Sequence, residues 1–337
     1  MTTSTPHLLP DVTAVTGLPA AVRIHEVGPR DGLQNESAIV PVEVKAEFIR
    51  RLAATGLTTI ETTSFVPASW IPQLADAAEL VTALSADPEL PGSLDLPALV
   101  PNERGLDRAL ELGVRHIAVF ASATETFAHK NLNRTVAESL EMFAPVVRRA
   151  TERGLRVRGY LSMCYGDPWE GRVPVAQVVD VARRLADLGC DELSLGDTIG
   201  VATPGQVHTL LAALTAAGVT TDRLAVHFHD TYGQALSNTL AALQAGVTVV
   251  DASAGGLGGC PYAKSATGNL ATEDLLWMLN GLGIETGVDL AALAGTSVWM
   301  AEQLGRPSPS RTVRALAGQR TDPHGLDVRP LADGKDI

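Results

Sequence analysis

Residues 174–200 read PVAQVVDVARRLADLGCDELSLGDTIG, and the order of elements in this stretch decides the fold. The first half carries apolar residues at helical spacing, Gly189 supplies a left-handed helix stop, and DELSLGD (191–197) follows as a strand. The same phrase recurs along the chain. Strand candidates are VRIHEV (22–27), TTIETT (58–63), LDLPALV (94–100), VRHIAVF (114–120), LRVRGYL (155–161), DELSLGD (191–197), LAVHFHD (224–230) and TVVDAS (248–253). Helical stretches lie between them, several closing on a glycine: Gly56, Gly113, Gly154, Gly189, Gly218 and Gly246. Eight βα units at this period predict an α/β protein built as a closed (β/α)8 TIM barrel. A doubly wound open sheet is the weaker alternative, because no break in strand order is visible.

The pattern changes after about residue 283, where DLAALAGTSVWMAEQL (289–304) reads as additional C-terminal helices packed on the barrel. The expected organisation is a mobile tail over 1–21, a barrel over 22–283, a helical extension over 284–320 and a flexible tail over 321–337.

Composition narrows the function. The 337 residues are 45% hydrophobic, ample for a large core, and the net charge of −12 argues against nucleic acid, whose phosphates need clustered Lys and Arg. No run approaches the ~20 apolar residues of a membrane span. The first residues lack the basic and apolar regions of a signal peptide and the arginines of a transit peptide, so a cytoplasmic location is expected. Three scattered cysteines, Cys164, Cys190 and Cys260, make no disulfide framework and fit a reducing compartment.

In a TIM barrel the active site lies at the C-terminal ends of the strands, and the unusual polar residues fall there. Arg30 and Asp31 follow strand 1 in EVGPRDGLQNE, and Glu61 lies in strand 2, where an interior carboxylate needs a partner such as Arg30. Asp197 and Thr198 end strand 6. His227 and His229 stand two apart at the end of strand 7, on one side of it. The loop after strand 8 brings Cys260, Asn269, Glu273 and Asp274. Two imidazoles, Asp31 and the Asn269 amide oxygen form a mixed nitrogen and oxygen set that suits Mg²⁺ or Mn²⁺. The donor types alone also admit Zn²⁺, Co²⁺ or Fe²⁺. Cys260 sits among glycines with no second cysteine nearby, which favours a catalytic or redox thiol on a hinged loop over a metal ligand. Cys190 reads as packing. GGLGG (255–259) lacks the residues of a nucleotide-binding loop.

EVGPRDGLQNE, IETTSFV, SLGDTIGVATPG and the long block from HFHDTYGQALSN to GLGIETGV closely resemble the hydroxymethylglutaryl-CoA lyase family, metal-dependent enzymes on a TIM barrel. The resemblance runs from about residue 22 to about 316. It implies Asp31, His227, His229 and Asn269 as metal ligands, Arg30 on the thioester carbonyl and Cys260 as an active-site thiol on a mobile loop. It implies roles for Glu61 and Asp197 in organising the site and in proton transfer, and for Lys130 and Asn131 in binding acyl-CoA. With Arg30, Gln34, Ser64, Tyr160 and Thr198 complete the expected substrate-binding set. Asp230, which points away from His229 in the strand alternation, is expected to support the ligands together with Glu273 and Asp274. A homodimer is also implied.

The implied reaction is retro-Claisen cleavage of 3-hydroxy-3-methylglutaryl-CoA to acetyl-CoA and acetoacetate, a step of leucine degradation. A divalent cation lowers the pKa of the tertiary hydroxyl, and His227 or a neighbouring carboxylate takes the proton. A fixed guanidinium such as Arg30 stabilises the enolate oxygen, at about 2.7–4 kcal/mol of barrier per donor. Cys260 protonates the enolate carbon. The alternatives are the same cleavage of a longer 3-alkyl analogue such as an isohexenylglutaryl-CoA, and, with less support, a Claisen-condensing synthase. Met163 and Asp167 stand where animal members of the family carry cysteines, and no cysteine lies near the C-terminus, so thiol regulation between subunits is not expected.

Overall fold

The computed structural model describes residues 9–260 and 263–318, with the backbone alone at 260 and 263–267. Eight parallel strands carry the fold: β1 (Arg23–Glu26), β2 (Thr63–Ser64), β3 (Ala98–Leu99), β4 (His116–Ser122), β5 (Arg156–Ser162), β6 (Glu192–Asp197), β7 (Leu224–Phe228) and β8 (Val249–Ala252). Their order is β1-β8-β7-β6-β5-β4-β3-β2. The ring closes where Glu26 bridges Ile60, with Glu26 N donating to Thr59 O at 3.1 Å and Glu61 N to Glu26 O at 2.8 Å. Sequential order without a switch point, together with this closure, makes the sheet a barrel and excludes the doubly wound alternative.

The expected runs 58–63 and 94–100 pair along most of their length: Asp95 N donates to Thr58 O, Ile60 N to Asp95 O and Thr62 N to Pro97 O, before Thr63–Ser64 pair with Ala98–Leu99. Pro97 accepts in this ladder but has no N–H to give it.

Helices surround the ring: α1 (Val42–Ala54), α2 (Ala77–Ser85), α3 (Glu103–Glu111), α4 (Glu125–Leu132), α5 (Val136–Glu152), α6 (Val175–Leu188), α7 (Pro204–Ala216), α8 (Ala235–Gln244) and α9 (Thr272–Gly281). All six glycines read as helix stops take left-handed φ angles. Gly189 (φ 107°) ends α6, its N–H bonding Ala186 O, and turns the chain into β6. Two further helices, α10 (Leu290–Leu304) and α11 (Arg311–Gly318), pack against α1 and α9 as the C-terminal pattern predicted. Residues before β1 run beside the segment that follows α9: Thr13 N donates to Gly281 O, and Ala21 bridges Glu285.

Strand alternation divides the burial. Ile117, Val119 and Ala121 of β4 belong to the main apolar core with Phe143, Val146 and Val147 of α5. The opposite face of the strands fills the barrel, and part of it is charged: Glu61, Arg158 and Asp251 are fully buried or nearly so, beside the fully buried imidazole of His25. Burying such ions costs several kcal/mol each unless they are paired and hydrogen-bonded, so their partners determine how the site is built.

Candidate active site

The chain leaves β1 through a π-type turn, Gly28–Gly32, in which Asp31 N and Gly32 N both bond Val27 O, at 2.8 and 3.1 Å. A side chain at Gly28 would place Cβ 2.6 Å from Glu26 Oε1. The turn aims Arg30 and Asp31 into the mouth. Arg30 grips Glu61 through Nε–Oε1 (2.9 Å) and Nη2–Oε2 (3.2 Å), the pairing expected for that carboxylate, and Nη1 donates to Asp31 Oδ1 at 2.7 Å. The Tyr160 hydroxyl also donates to Glu61 Oε2. Burial alone would raise the Glu61 pKa, but the charge of Arg30 and the hydrogen bonds overcome it and hold the carboxyl at about 2.

Asp31, His227 and His229 place one candidate ligand atom each within 4.8 Å of one another. Asn269 Nδ2 donates to Asp31 Oδ2 (2.8 Å) and Leu257 O (3.1 Å), and among the described residues neither its buried Oδ1 nor the buried His229 Nδ1 meets a hydrogen-bond partner. Orphaned buried acceptors are costly, and a divalent cation satisfies them. Burial and the charge of His227 push the His229 pKa down to about 4, so its ring is neutral and holds a lone pair. Burial opposes ionisation of Asp31, yet the charge of Arg30 and the hydrogen bond from Asn269 keep its carboxyl below the usual range. The donor set therefore fits a metal. Gly258 makes the approach possible: at φ 120° a Cβ there would lie 2.6 Å from Asn269 Nδ2.

Behind these residues lies a network that the motif reading missed. Arg158 Nη2 donates to Asp251 Oδ1, Arg158 Nη1 lies 2.8 Å from His25 Nδ1, and His25 Nε2 lies 3.6 Å from Glu61 Oε2. Asp251 Oδ2 meets His227 Nδ1 at 3.2 Å and accepts from Ser194 Oγ at 2.8 Å. Tyr160 lies between two guanidinium carbons, 5.3 Å from that of Arg30 and 5.1 Å from that of Arg158. The signal was present in period two: His25, Arg158 and Asp251 occupy the strand face opposite the Val, Ile and Leu residues.

A cavity of about 510 Å³ opens at the C-terminal ends of the strands. Arg30, Asp31, His227 and His229 line its polar side, and of the expected substrate residues Gln34, Lys130, Asn131, Tyr160 and Thr198 line it too. Ser64 is fully buried on β2 beside Leu99, a lining residue. Thr198 Oγ1 accepts the N–H of Met163, which adopts the left-handed region at φ 60°. Asp197 is turned away from the cavity lining. Its oxygens accept the N–H groups of Val201 (2.9 Å) and Ala202 (3.0 Å), and burial raises its pKa to about 6. Asp230 accepts from Ala235 N at the start of α8 and from Arg311 of α11. Glu273 accepts from Gly255 N and Ser297 Oγ, and Asp274 from Ser310 Oγ and Thr312 N. These three carboxylates tie the loop after β8 and the C-terminal helices to the barrel. The Cys260 side chain lies outside the described residues; its backbone pairs with Ala263. Cys164 and Cys190 are buried free thiols.

The closed βα ring carries an arginine and a nitrogen–oxygen ligand cluster at its C-terminal mouth, where the active sites of TIM-barrel enzymes lie. A family model described as HMGL-like matches residues 21–299, and the chain belongs to that family. The mitochondrial hydroxymethylglutaryl-CoA lyase of Arabidopsis thaliana is 51% identical over 300 residues, covering 89% of this chain; the chain spans 63% of that relative's length. The crystal structure of hydroxymethylglutaryl-CoA lyase from Pseudomonas aeruginosa superposes with a TM-score of 0.86 at 47% identity, over 90% of this chain and all of that one. An HMG-CoA lyase from Acinetobacter baumannii, solved with coenzyme A and 3-methylmalate, gives 0.83 at 32% identity, over 95% and 100%.

Proposed function

We propose that the chain cleaves (S)-3-hydroxy-3-methylglutaryl-CoA to acetyl-CoA and acetoacetate. The observation that carries this reading is the placement of Arg30 beside Asp31, His227, His229 and Asn269 at one end of the cavity. Those last four residues would hold Mg²⁺ or Mn²⁺. A bound divalent cation lowers the pKa of the substrate's tertiary hydroxyl.

The residues divide the remaining work. His227 has one ring nitrogen committed to Asp251; the other cannot both face a cation and take a proton. We therefore assign the hydroxyl proton to Asp31, whose carboxylate has about four acceptor sites. The C2–C3 bond breaks, acetoacetate leaves with the new ketone, and the electron pair passes into the acetyl-CoA enolate. Arg30, fixed by Glu61, stabilises the enolate oxygen, and Cys260 donates the proton to the enolate carbon. Glu61 holds Arg30 in place, Asp197 holds the turn after β6 near His227, and Lys130 and Asn131 meet the CoA portion at the rim. The names of the relatives favour the methyl substrate over a longer alkyl analogue or a condensing reaction.

No helix among the described residues is long and apolar enough to cross a membrane. We place the enzyme in the cytoplasm, as a homodimer serving leucine degradation; light scattering of the purified protein tests the dimer. Purified protein given hydroxymethylglutaryl-CoA with Mg²⁺ or Mn²⁺ should release acetoacetate and acetyl-CoA, EDTA should stop the reaction, and added Mn²⁺ should restore it. Absence of an EDTA-sensitive product would overturn the reading.

A further inference from the structure

His227 and Asp251 are register partners on the neighbouring strands β7 and β8, and both face the barrel interior. Asp251 is almost completely buried, with every described contact inside the ring. Oδ1 accepts from Arg158, while Oδ2 accepts from Ser194 Oγ at 2.8 Å and faces His227 Nδ1 at 3.2 Å. Asp251 Oδ1 closes a fully buried ion pair with the Arg158 guanidinium, so the carboxylate is the accepting partner. An ionised carboxylate only accepts, so the ring nitrogen that faces it carries the hydrogen. The neutral imidazole then has its lone pair at Nε2, the atom 4.0 Å from Asp31 Oδ2 within the ligand cluster.

His25 shows the opposite case in the same network. Its Nδ1 faces Arg158 Nη1 at 2.8 Å, and a guanidinium only donates. His25 Nδ1 therefore accepts, and Nε2 holds the hydrogen toward Glu61. One buried guanidinium thus fixes the hydrogen positions of two histidines in opposite senses. It acts on His25 directly and on His227 through Asp251.

We infer that Asp251 is a positioning residue for the metal centre: held by Arg158 and Ser194, it locks His227 in the Nδ1–H tautomer and presents Nε2 as a donor atom. This rests on the proposed reading of Asp31, His227 and His229 as cation ligands. Carboxylates behind metal-binding imidazoles act in this way generally, and their loss weakens metal affinity by about 10- to 100-fold.

The Asp251→Asn variant tests the inference because its orientation is dictated. Arg158 requires an acceptor, so the amide oxygen takes the Oδ1 place and the NH₂ group faces Ser194 and His227. A donor opposite Nδ1 moves the imidazole hydrogen to Nε2, where it blocks the lone pair. Mn²⁺ binding, followed by the EPR signal of the free ion, should weaken about 10- to 100-fold in Asp251→Asn. Long-range ¹H–¹⁵N spectra of the histidines, recorded without metal at alkaline pH, should show the Nδ1–H form at His227 in the wild type and Nε2–H in the variant. The wild-type spectrum needs no variant to fold. An Nε2–H tautomer there, or wild-type Mn²⁺ affinity in a folded Asp251→Asn, overturns the inference while leaving the ligand reading standing. Failure of the wild type itself to bind Mn²⁺ overturns both.

Discussion

Arg30 and Glu61 meet across the seam that closes the barrel, joined by two hydrogen bonds of 2.9 and 3.2 Å, with the carboxylate fully buried. The pairing fixes the guanidinium plane while leaving Nη1 on Asp31. It also costs little reorganisation when charge develops in front of it, which is how a preorganised donor lowers a barrier.

Replacing Arg30 with Gln removes the charge and one arm of this clamp. Turnover should fall by about 10²- to 10³-fold, while Mn²⁺ affinity changes far less, since the four proposed ligand residues remain. Steady-state kinetics beside Mn²⁺ titration separate the two. Activity within tenfold of wild type would show that Arg30 has no role at the enolate.

Gly258 occupies a backbone conformation that L side chains rarely adopt, with Asn269 Nδ2 in the place of a Cβ. Gly258→Ala should displace the Asn269 amide and weaken Mn²⁺ binding by about 10- to 100-fold, besides about 1–3 kcal/mol of backbone strain. Comparing Mn²⁺ affinity with thermal unfolding of the metal-free protein checks it. Unchanged affinity would mean that Asn269 contributes no ligand.

Two buried carboxyls behind the loop after β8 make stability depend on pH. Burial pushes Glu273 up to about 8 and Glu26 up to about 7, against 4.5 in the unfolded chain. Folded values above the unfolded one mean that the native state binds more protons between them. The stability these groups contribute is full below pH 4.5 and is lost as pH rises through 7 and 8. The melting temperature should therefore fall from about pH 5 to about pH 9, and Glu273→Gln should flatten that fall. An equally steep curve in the variant would mean that Glu273 is ionised throughout.

Lys130 stands at the rim with its ammonium 4.7 Å from the centre of the Trp169 ring. Lys130→Ala should raise KM for the CoA thioester by about two- to fivefold, the scale of an exposed ion pair, with kcat unchanged. The difference should shrink as salt is added. A fall in kcat with KM constant would place Lys130 in the chemistry instead.

The βα repeat, the glycine stops, the Arg30–Asp31 turn and the His227–His229 pair were legible in the sequence because each is local. Strand period two assigns a side chain to a face, and helix period marks where the next strand begins. The strand runs at 58–63 and 94–100 pair as read, with Pro97 accepting from Thr62 N but giving no N–H of its own. The placement of Asn269 Nδ2 on Asp31, the commitment of Asp197 to the amides of Val201 and Ala202, and the Arg158–Asp251–His227 contact were not legible. Arg158 and Asp251 lie 93 residues apart, and nothing in either strand alone says that they touch. Barrel closure and the register of β7 on β8 bring those charges together, and in a dry interior each must then take the partner that closure supplies. The sequence determined the faces and the order of the strands; only the closed ring decided which charge meets which.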